Sequence, residues 1–282
     1  MPDTNRRPLP PAESFVMKEH FTVAELLDLM AFLRSDQGCP WDREQTHRSL
    51  RQNLLEEAYE VIDAIESGKP DRLCDELGDV LMQVVFHAQM AQEAGAFTFS
   101  DVVAAICNKL ISRHTHIFGP DRAATPDAVI ANWEKNKKRE KGLDSQTQVL
   151  LDVPRAVPAL QRSYKVQQKA DQVGFDWDKA DGPRQKIEEE LAEIKEASNQ
   201  DHLEDELGDL LFSVVNYARH LKVQPEMALN RSTEKFIRRF AALEARAEAS
   251  NLKLGALSLS EMDRLWDDVK QDEKGGKSDA SR

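Results

Sequence analysis

The chain has 282 residues, with 38 Lys and Arg against 50 Asp and Glu, a formal net charge of −12. That length suits two ordinary domains, each able to bury a core, and 6% aromatic content with 12 Gly and 12 Pro excludes collagen-like, prion-like and disulfide-scaffold classes. The carboxylate surplus argues against a grip on nucleic-acid polymers, which depends on Lys and Arg neutralising phosphates, but leaves nucleotides open through a bridging metal cation.

Met1 to Pro11 carry Arg6 and Arg7 with no apolar segment behind them, so the start of the chain does not read as a signal peptide. Leu54, Ala58, Val61, Ile62 and Ile65 then recur with helical spacing. Ser67-Gly68-Lys69-Pro70 stops that helix, and Leu73, Leu77, Leu81, Val84 and Ala88 mark the apolar stripe of a second. Val80 to Phe86, interrupted by Gln83, is too short to cross a bilayer. Cys39, Cys74 and Cys107 form no CxxC pair and are expected as small buried thiols of a reducing compartment. No membrane association and a cytoplasmic location are therefore expected.

Trp133 to Lys141 reads as a charged helix, and Gly142 to Pro158, with Pro154 and a Ser/Thr/Gln cluster, as a linker. Beyond it the first half returns. Leu73-Cys74-Asp75-Glu76-Leu77-Gly78-Asp79 reappears as Leu203-Glu204-Asp205-Glu206-Leu207-Gly208-Asp209, 130 positions later. Glu56-Glu57-Ala58-Tyr59-Glu60 answers to Glu189-Glu190-Leu191-Ala192-Glu193 at an offset of 133. The spacer between the two blocks is thus three residues shorter in the second copy, which reads as a changed loop length. A duplicated helical unit follows: an all-α chain of two tandem helical bundles, at residues 15–145 and 146–270, with a polar tail at 271–282 expected to be disordered.

Each copy carries Glu-Glu-x-x-Glu and then Glu-x-x-Asp. On a helical wheel Glu57 and Glu60 flank the apolar stripe while Glu56 turns outward; Glu190, Glu193 and Glu189 repeat that arrangement. Glu76 and Asp79, like Glu206 and Asp209, lie three apart on one flank of the next helix. Folding each hairpin would gather four carboxylates, which repel unless a cation joins them. Oxygen-only ligands suit Mg²⁺ or Mn²⁺, which act with substrate phosphates. A solvated acidic helix face is the alternative for any one Glu-rich helix; the repetition favours the metal. A di-iron bundle would require Glu-x-x-His, which neither copy has.

These segments, together with Gly38-Cys39-Pro40-Trp41-Asp42-Arg43-Glu44-Gln45-Thr46-His47 and Val173-Gly174-Phe175-Asp176-Trp177, resemble the MazG family of the all-α NTP pyrophosphatase superfamily over about residues 20–271. The resemblance implies Mg²⁺-dependent cleavage of nucleoside triphosphates between the α- and β-phosphates, broad base tolerance, a homodimer, and a role in nucleotide housecleaning or stress. It implies hydrolysis by the second copy, with the first serving architecture and dimerisation while keeping its own carboxylates. Glu190, Glu193, Glu206 and Asp209 would hold the metal, and Glu189 or Glu193 would act as base. Lys235, Arg238 and Arg239 cluster within little more than a turn, with Phe236 and Phe240 expected on the buried face; such a cluster can be a solvated basic face, but here resembles the triphosphate-binding segment. By the same resemblance Lys186 and His202 would face substrate. Trp266 would stack on the base, although a Trp near a chain end is also an ordinary packing anchor. Alternatives are a narrow dUTP or dCTP pyrophosphatase and a non-catalytic nucleotide-sensing interaction protein.

Overall fold

Thr22 opens the first long helix, α1 (Val23–Leu33), through a capping box: its hydroxyl accepts from the Glu25 amide while the Glu25 carboxylate accepts from the Thr22 amide. A short α2 (Pro40–Glu44) follows, then α3 (Arg51–Ser67). Gly68, at φ 65°, takes the left-handed conformation that ends α3, and Pro70 at the first position of α4 (Pro70–Glu93) starts the return helix. Thr98 and Asp101 box the start of α5 (Phe99–Arg113), and α6 (Thr115–Phe118) and α7 (Pro126–Glu140) complete the first half.

The second half contains α8 (Gln146–Leu151), α9 (Ala159–Asp171), α10 (Asp181–Glu196), α11 (Gln200–His220), α12 (Pro225–Ala249) and α13 (Leu259–Asp279). This computed structural model describes the backbone of residues 9–279 and the side chains of residues 9–273. Among the described residues no strand forms, and no helix is long and apolar enough to cross a membrane. The architecture is all-α, as the repeat predicts, and divides into two compact units at residues 137 and 138, within α7.

In the first unit Met30, Leu50, Val85, Phe86 and Met90 form a buried core, with Leu26, Leu27, Met82 and Phe99 against it. Arg34 holds the chain after α2 to this core: it pairs with Glu93 at 2.7 Å and donates to the carbonyls of Asp42 and Gln45. In the second unit Val149, Val153, Val215, Leu243, Ala247 and Val269 are buried. Gln167 ties α9 to α11 by donating to the Phe212 carbonyl at 2.8 Å.

Five expectations need correction. The segment 142–158 is not simply a linker: Ser145 and Gln148 form a capping box on α8, because apolar Val149 and Val153 give that turn something to bury. The polar stretch 271–279 continues α13 rather than losing order, even though it includes Gly275 and Gly276, because extending a helix already nucleated upstream costs less than starting one; residues 280–282 lie outside the described ones. The three-residue difference between copies is mostly helix, not loop. α3 runs seven residues past Glu60, to Ser67, whereas α10 runs three past Glu193, to Glu196.

Cys74 and Cys107 are exposed and Cys39 half-buried, so none is a buried thiol. Finally, Phe236 and Phe240 are 56% and 42% exposed rather than buried. The stripes of α3, α4, α10 and α11 behave similarly: Leu54, Leu77, Leu81, Leu191, Leu207 and Leu211 are all exposed. The reason is geometric. α3 packs chiefly on α4 and α10 chiefly on α11, so each two-helix layer leaves part of its apolar surface uncovered.

Candidate metal and nucleotide site

The hairpin of α10 and α11 assembles the second carboxylate group. Glu190, Glu206 and Asp209 offer oxygens that lie within 4.8 Å of one another. Glu190 is buried, Glu206 half-buried and Asp209 exposed, so the group grades from the hairpin interior to its surface. One oxygen of Glu190, Oε1, lies 2.7 Å from Lys186 Nζ; the other, Oε2, is buried without a hydrogen-bond partner. A buried carboxylate oxygen with no donor is costly unless something cationic completes it. Lys186 also reaches Glu189 at 2.8 Å, and His202 lies 2.9 Å from Glu206.

Glu193 stands beside this group without belonging to the closest three. Its hydrogen-bond contact with the Glu190 carboxylate, then burial, then the charges of Glu190 and Glu206 raise its pKa above the ordinary value, against a smaller opposing effect of Lys186. Hydrogen bonds to Glu189 and then Glu190 push Lys186 upward, so its ammonium stays charged.

The hairpin of α3 and α4 repeats the arrangement: Glu57, Glu76 and Asp79 lie within 4.8 Å, all half-buried, and Glu60 again stands outside the closest three. Burial first, then the charges of Asp79, Glu60 and Glu76, raise the pKa of Glu57, while a hydrogen bond from Gln83 opposes them. Gln83 is itself buried, with Oε1 unpartnered. Arg72 sits 3.4 Å from Glu76, one helical turn before it, where the second copy has His202 before Glu206. Arg72 is not singled out by residue type, although the offset of 130 that reveals the carboxylates pairs it with His202 equally well.

Of the other predicted phosphate and base ligands of the second unit, Arg238, Arg239 and Trp266 find partners on α12 and α13. Arg238 and Arg239 both engage Glu273 of α13, at 3.4 and 2.8 Å. Trp266 packs on Phe236 at a ring separation of 5.2 Å, and Phe236 stacks on Phe240 at 6.1 Å. Among the described residues no hydrogen bond or ion pair joins Lys235, Arg238, Arg239 or Trp266 to the carboxylates. The Val173–Trp177 segment, unassigned by sequence, proves to be a clasp. Asp176 accepts from Arg219 and, at 3.1 Å, from His220, fastening the chain before α10 to the end of α11.

Two helical hairpins, each presenting a set of oxygen ligands beside an apolar stripe, define an all-α protein of the nucleotide pyrophosphohydrolase class. Comparison with known proteins agrees. Residues 45–118 and 184–242 match the MazG nucleotide pyrophosphohydrolase domain, one match in each unit. A Thermotoga maritima protein named nucleoside triphosphate pyrophosphohydrolase/pyrophosphatase MazG is 47% identical, over 87% of this chain and 94% of its own. The nucleoside triphosphate pyrophosphohydrolase of Escherichia coli K12 is 44% identical over 89% of this chain and 98% of its own, and that of Mycolicibacterium smegmatis 34% identical over 86% and 69%. The chain belongs to the MazG nucleotide pyrophosphohydrolase family and is a hydrolase.

Proposed function

We propose that the second unit hydrolyses nucleoside triphosphates and their deoxy forms to monophosphate and pyrophosphate, with Glu190, Glu193, Glu206 and Asp209 holding Mg²⁺ or Mn²⁺. The observation that carries this reading is Glu190, whose Oε2 is sealed from solvent with no donor and whose carboxylate is grouped with those of Glu206 and Asp209. An all-oxygen donor set of this charge fits a hard divalent cation. Bound there, the ion supplies positive charge against the polyphosphate and acidifies water.

The chain's own residues do the remainder. Glu189 or Glu193 takes the proton of the attacking water, whose oxygen bonds to the α-phosphorus as the bond to the α–β bridging oxygen breaks. Glu189 is exposed and tied to Lys186, so accepting a proton would cost it that ion pair. Lys235, Arg238 and Arg239 receive the β- and γ-phosphates, Lys186 and His202 line the metal side, and Trp266 offers the base a stacking face. Stacking accepts any base, which supports broad specificity and a role in nucleotide housecleaning.

The first unit keeps Glu57, Glu60, Glu76 and Asp79 as a second metal group and contributes architecture. A homodimer is supported by the exposed apolar residues along both hairpins, Leu77, Leu81, Leu207 and Leu211 among them. Pyrophosphate release from all eight NTPs and dNTPs, with and without Mg²⁺, tests the reading. Turnover of one pyrimidine deoxynucleotide alone would replace it with a narrow pyrophosphatase, and no turnover of any would leave a nucleotide sensor.

A further inference from the structure

The two arginines of the phosphate-binding segment are occupied. Oε2 of Glu273 lies 2.8 Å from both Nε and a terminal nitrogen of Arg239, and Oε1 lies 3.4 Å from Nε of Arg238. One carboxylate thus bridges two guanidinium groups, with its two oxygens divided between them. Arginine forks meet phosphate oxygens in the same way, through paired N–H donors directed at a bridging anion. The contact is half-sheltered: side-chain exposure is 28% for Glu273 and 22% for Arg239, against 66% for Arg238. Hydrogen bonding to Arg239 comes first among the interactions that hold Glu273 below the usual carboxylate range.

We propose that Glu273 is an internal stand-in for a substrate phosphate, which the polyphosphate of an incoming nucleotide must displace from Arg238 and Arg239. The proposal rests on reading Lys235, Arg238 and Arg239 as the polyphosphate clamp. A single carboxylate carries one negative charge and two acceptor atoms. The terminal phosphates of a triphosphate offer more of both, so exchange favours the substrate, at the cost of the lost internal pair. Because that cost is the same for every ligand that needs the clamp, Glu273 sets the affinity for polyphosphates without altering chemistry at the α-phosphorus. Glu273 also shares α13 with Trp266, seven residues earlier and therefore two turns away on nearly the same helix face. One helix then carries both the base platform and the group that vacates the phosphate site.

The test is steady-state hydrolysis of ATP at saturating Mg²⁺ by the full chain, with inorganic triphosphate and AMP as inhibitors. Glu273→Gln keeps the length of the side chain and removes its charge. It should lower KM for ATP and the inhibition constant of inorganic triphosphate by the same factor, roughly two- to fivefold for a pair this exposed. The change should fall on KM rather than kcat, and inhibition by AMP, which lacks the terminal phosphates, should not move. Glu273→Asp, too short to span both arginines, should shift KM in the same direction.

Arg239→Ala separates the two levels of the argument. If it raises KM while Glu273→Gln leaves KM unchanged or raises it, Glu273 only orients the arginines and the stand-in is overturned. If Arg239→Ala leaves both KM and triphosphate inhibition unchanged, the clamp itself is overturned and the stand-in with it. Glu273→Gln should also have no effect in the Arg239→Ala background beyond what Arg238 alone retains.

Discussion

Lys186 Nζ lies 2.7 Å from Oε1 of Glu190, while Oε2 of the same carboxylate is buried without a partner. The two residues are four apart on α10, so the helix itself sets their approach. Lys186 therefore satisfies half of a buried anion and leaves the other half without a donor, in a carboxylate that is itself grouped with Glu206 and Asp209.

That half-satisfied carboxylate predicts metal-dependent stability. Mn²⁺ should raise the melting temperature of the protein, because a cation held only by the folded state stabilises it by about 2.7 kcal/mol at a hundredfold excess over its Kd. Glu190→Gln should lose one Mn²⁺ site in a titration followed by electron paramagnetic resonance, and a corresponding part of the thermal shift. An unchanged stoichiometry would remove Glu190 from the ligand set.

The two copies should differ in catalysis despite their shared carboxylates. Glu206→Gln should lower kcat for pyrophosphate release by about 100-fold or more, the scale of losing one strong electrostatic contact to the transition state. Glu76→Gln, at the same repeat position, should leave most of the turnover intact. Equal losses in both would place chemistry in the first unit as well.

Glu57 gives the first unit a pH signature. Its folded-state pKa lies above the ordinary 4.5, so the carboxylate is penalised by folding once ionised. This contribution is absent below the unfolded value, and stability falls as pH rises from about 4.5 through the folded value, where the native state binds more protons than the unfolded chain. In EDTA, the melting-temperature advantage of Glu57→Gln over the parent should therefore grow between pH 4.5 and 7. A constant or shrinking difference would contradict that sign.

Asp176 should matter for stability rather than metal binding. Burial tends to raise its pKa, yet hydrogen bonds from Arg219 and His220 outweigh this and hold it below the usual range. Asp176 and Arg219 are each 10% exposed, so Asp176→Asn leaves a nearly buried guanidinium underpaired. The cost should be about 3 kcal/mol, read as a lower urea midpoint, with Mn²⁺ stoichiometry unaltered.

Gly38 tests the docking of the chain after α1. A Cβ there would lie 2.2 Å from the Phe32 carbonyl oxygen and 2.3 Å from that of Leu33, both backbone atoms that cannot step aside. Gly38→Ala should destabilise the protein by about 2–3 kcal/mol, in the range of overpacked sites, in thermal or urea unfolding. A neutral substitution would mean that this turn relaxes freely.

Much of the molecule was legible in its sequence because duplication makes pattern count twice. The repeated Glu-x-x-Asp block, its helical spacing and its place beside an apolar stripe identify two hairpins and the carboxylates they gather. Those properties are local: helix periodicity alone puts Glu206 and Asp209 on one flank. The extra turn of α3 was not legible, since a spacer of Ile, Glu and Ser serves helix or loop equally until packing decides.

Tertiary structure decided everything that depends on which neighbour stands opposite. It buried Glu190 and left Asp209 exposed, drew Glu60 and Glu193 back from the closest ligands, and set Phe236 against Trp266 and Phe240 while leaving it half open to solvent. It also placed Glu273 on Arg238 and Arg239, 35 and 34 residues away. Desolvation and charge pairing act between groups brought together only by folding, so residue spacing alone could not specify them.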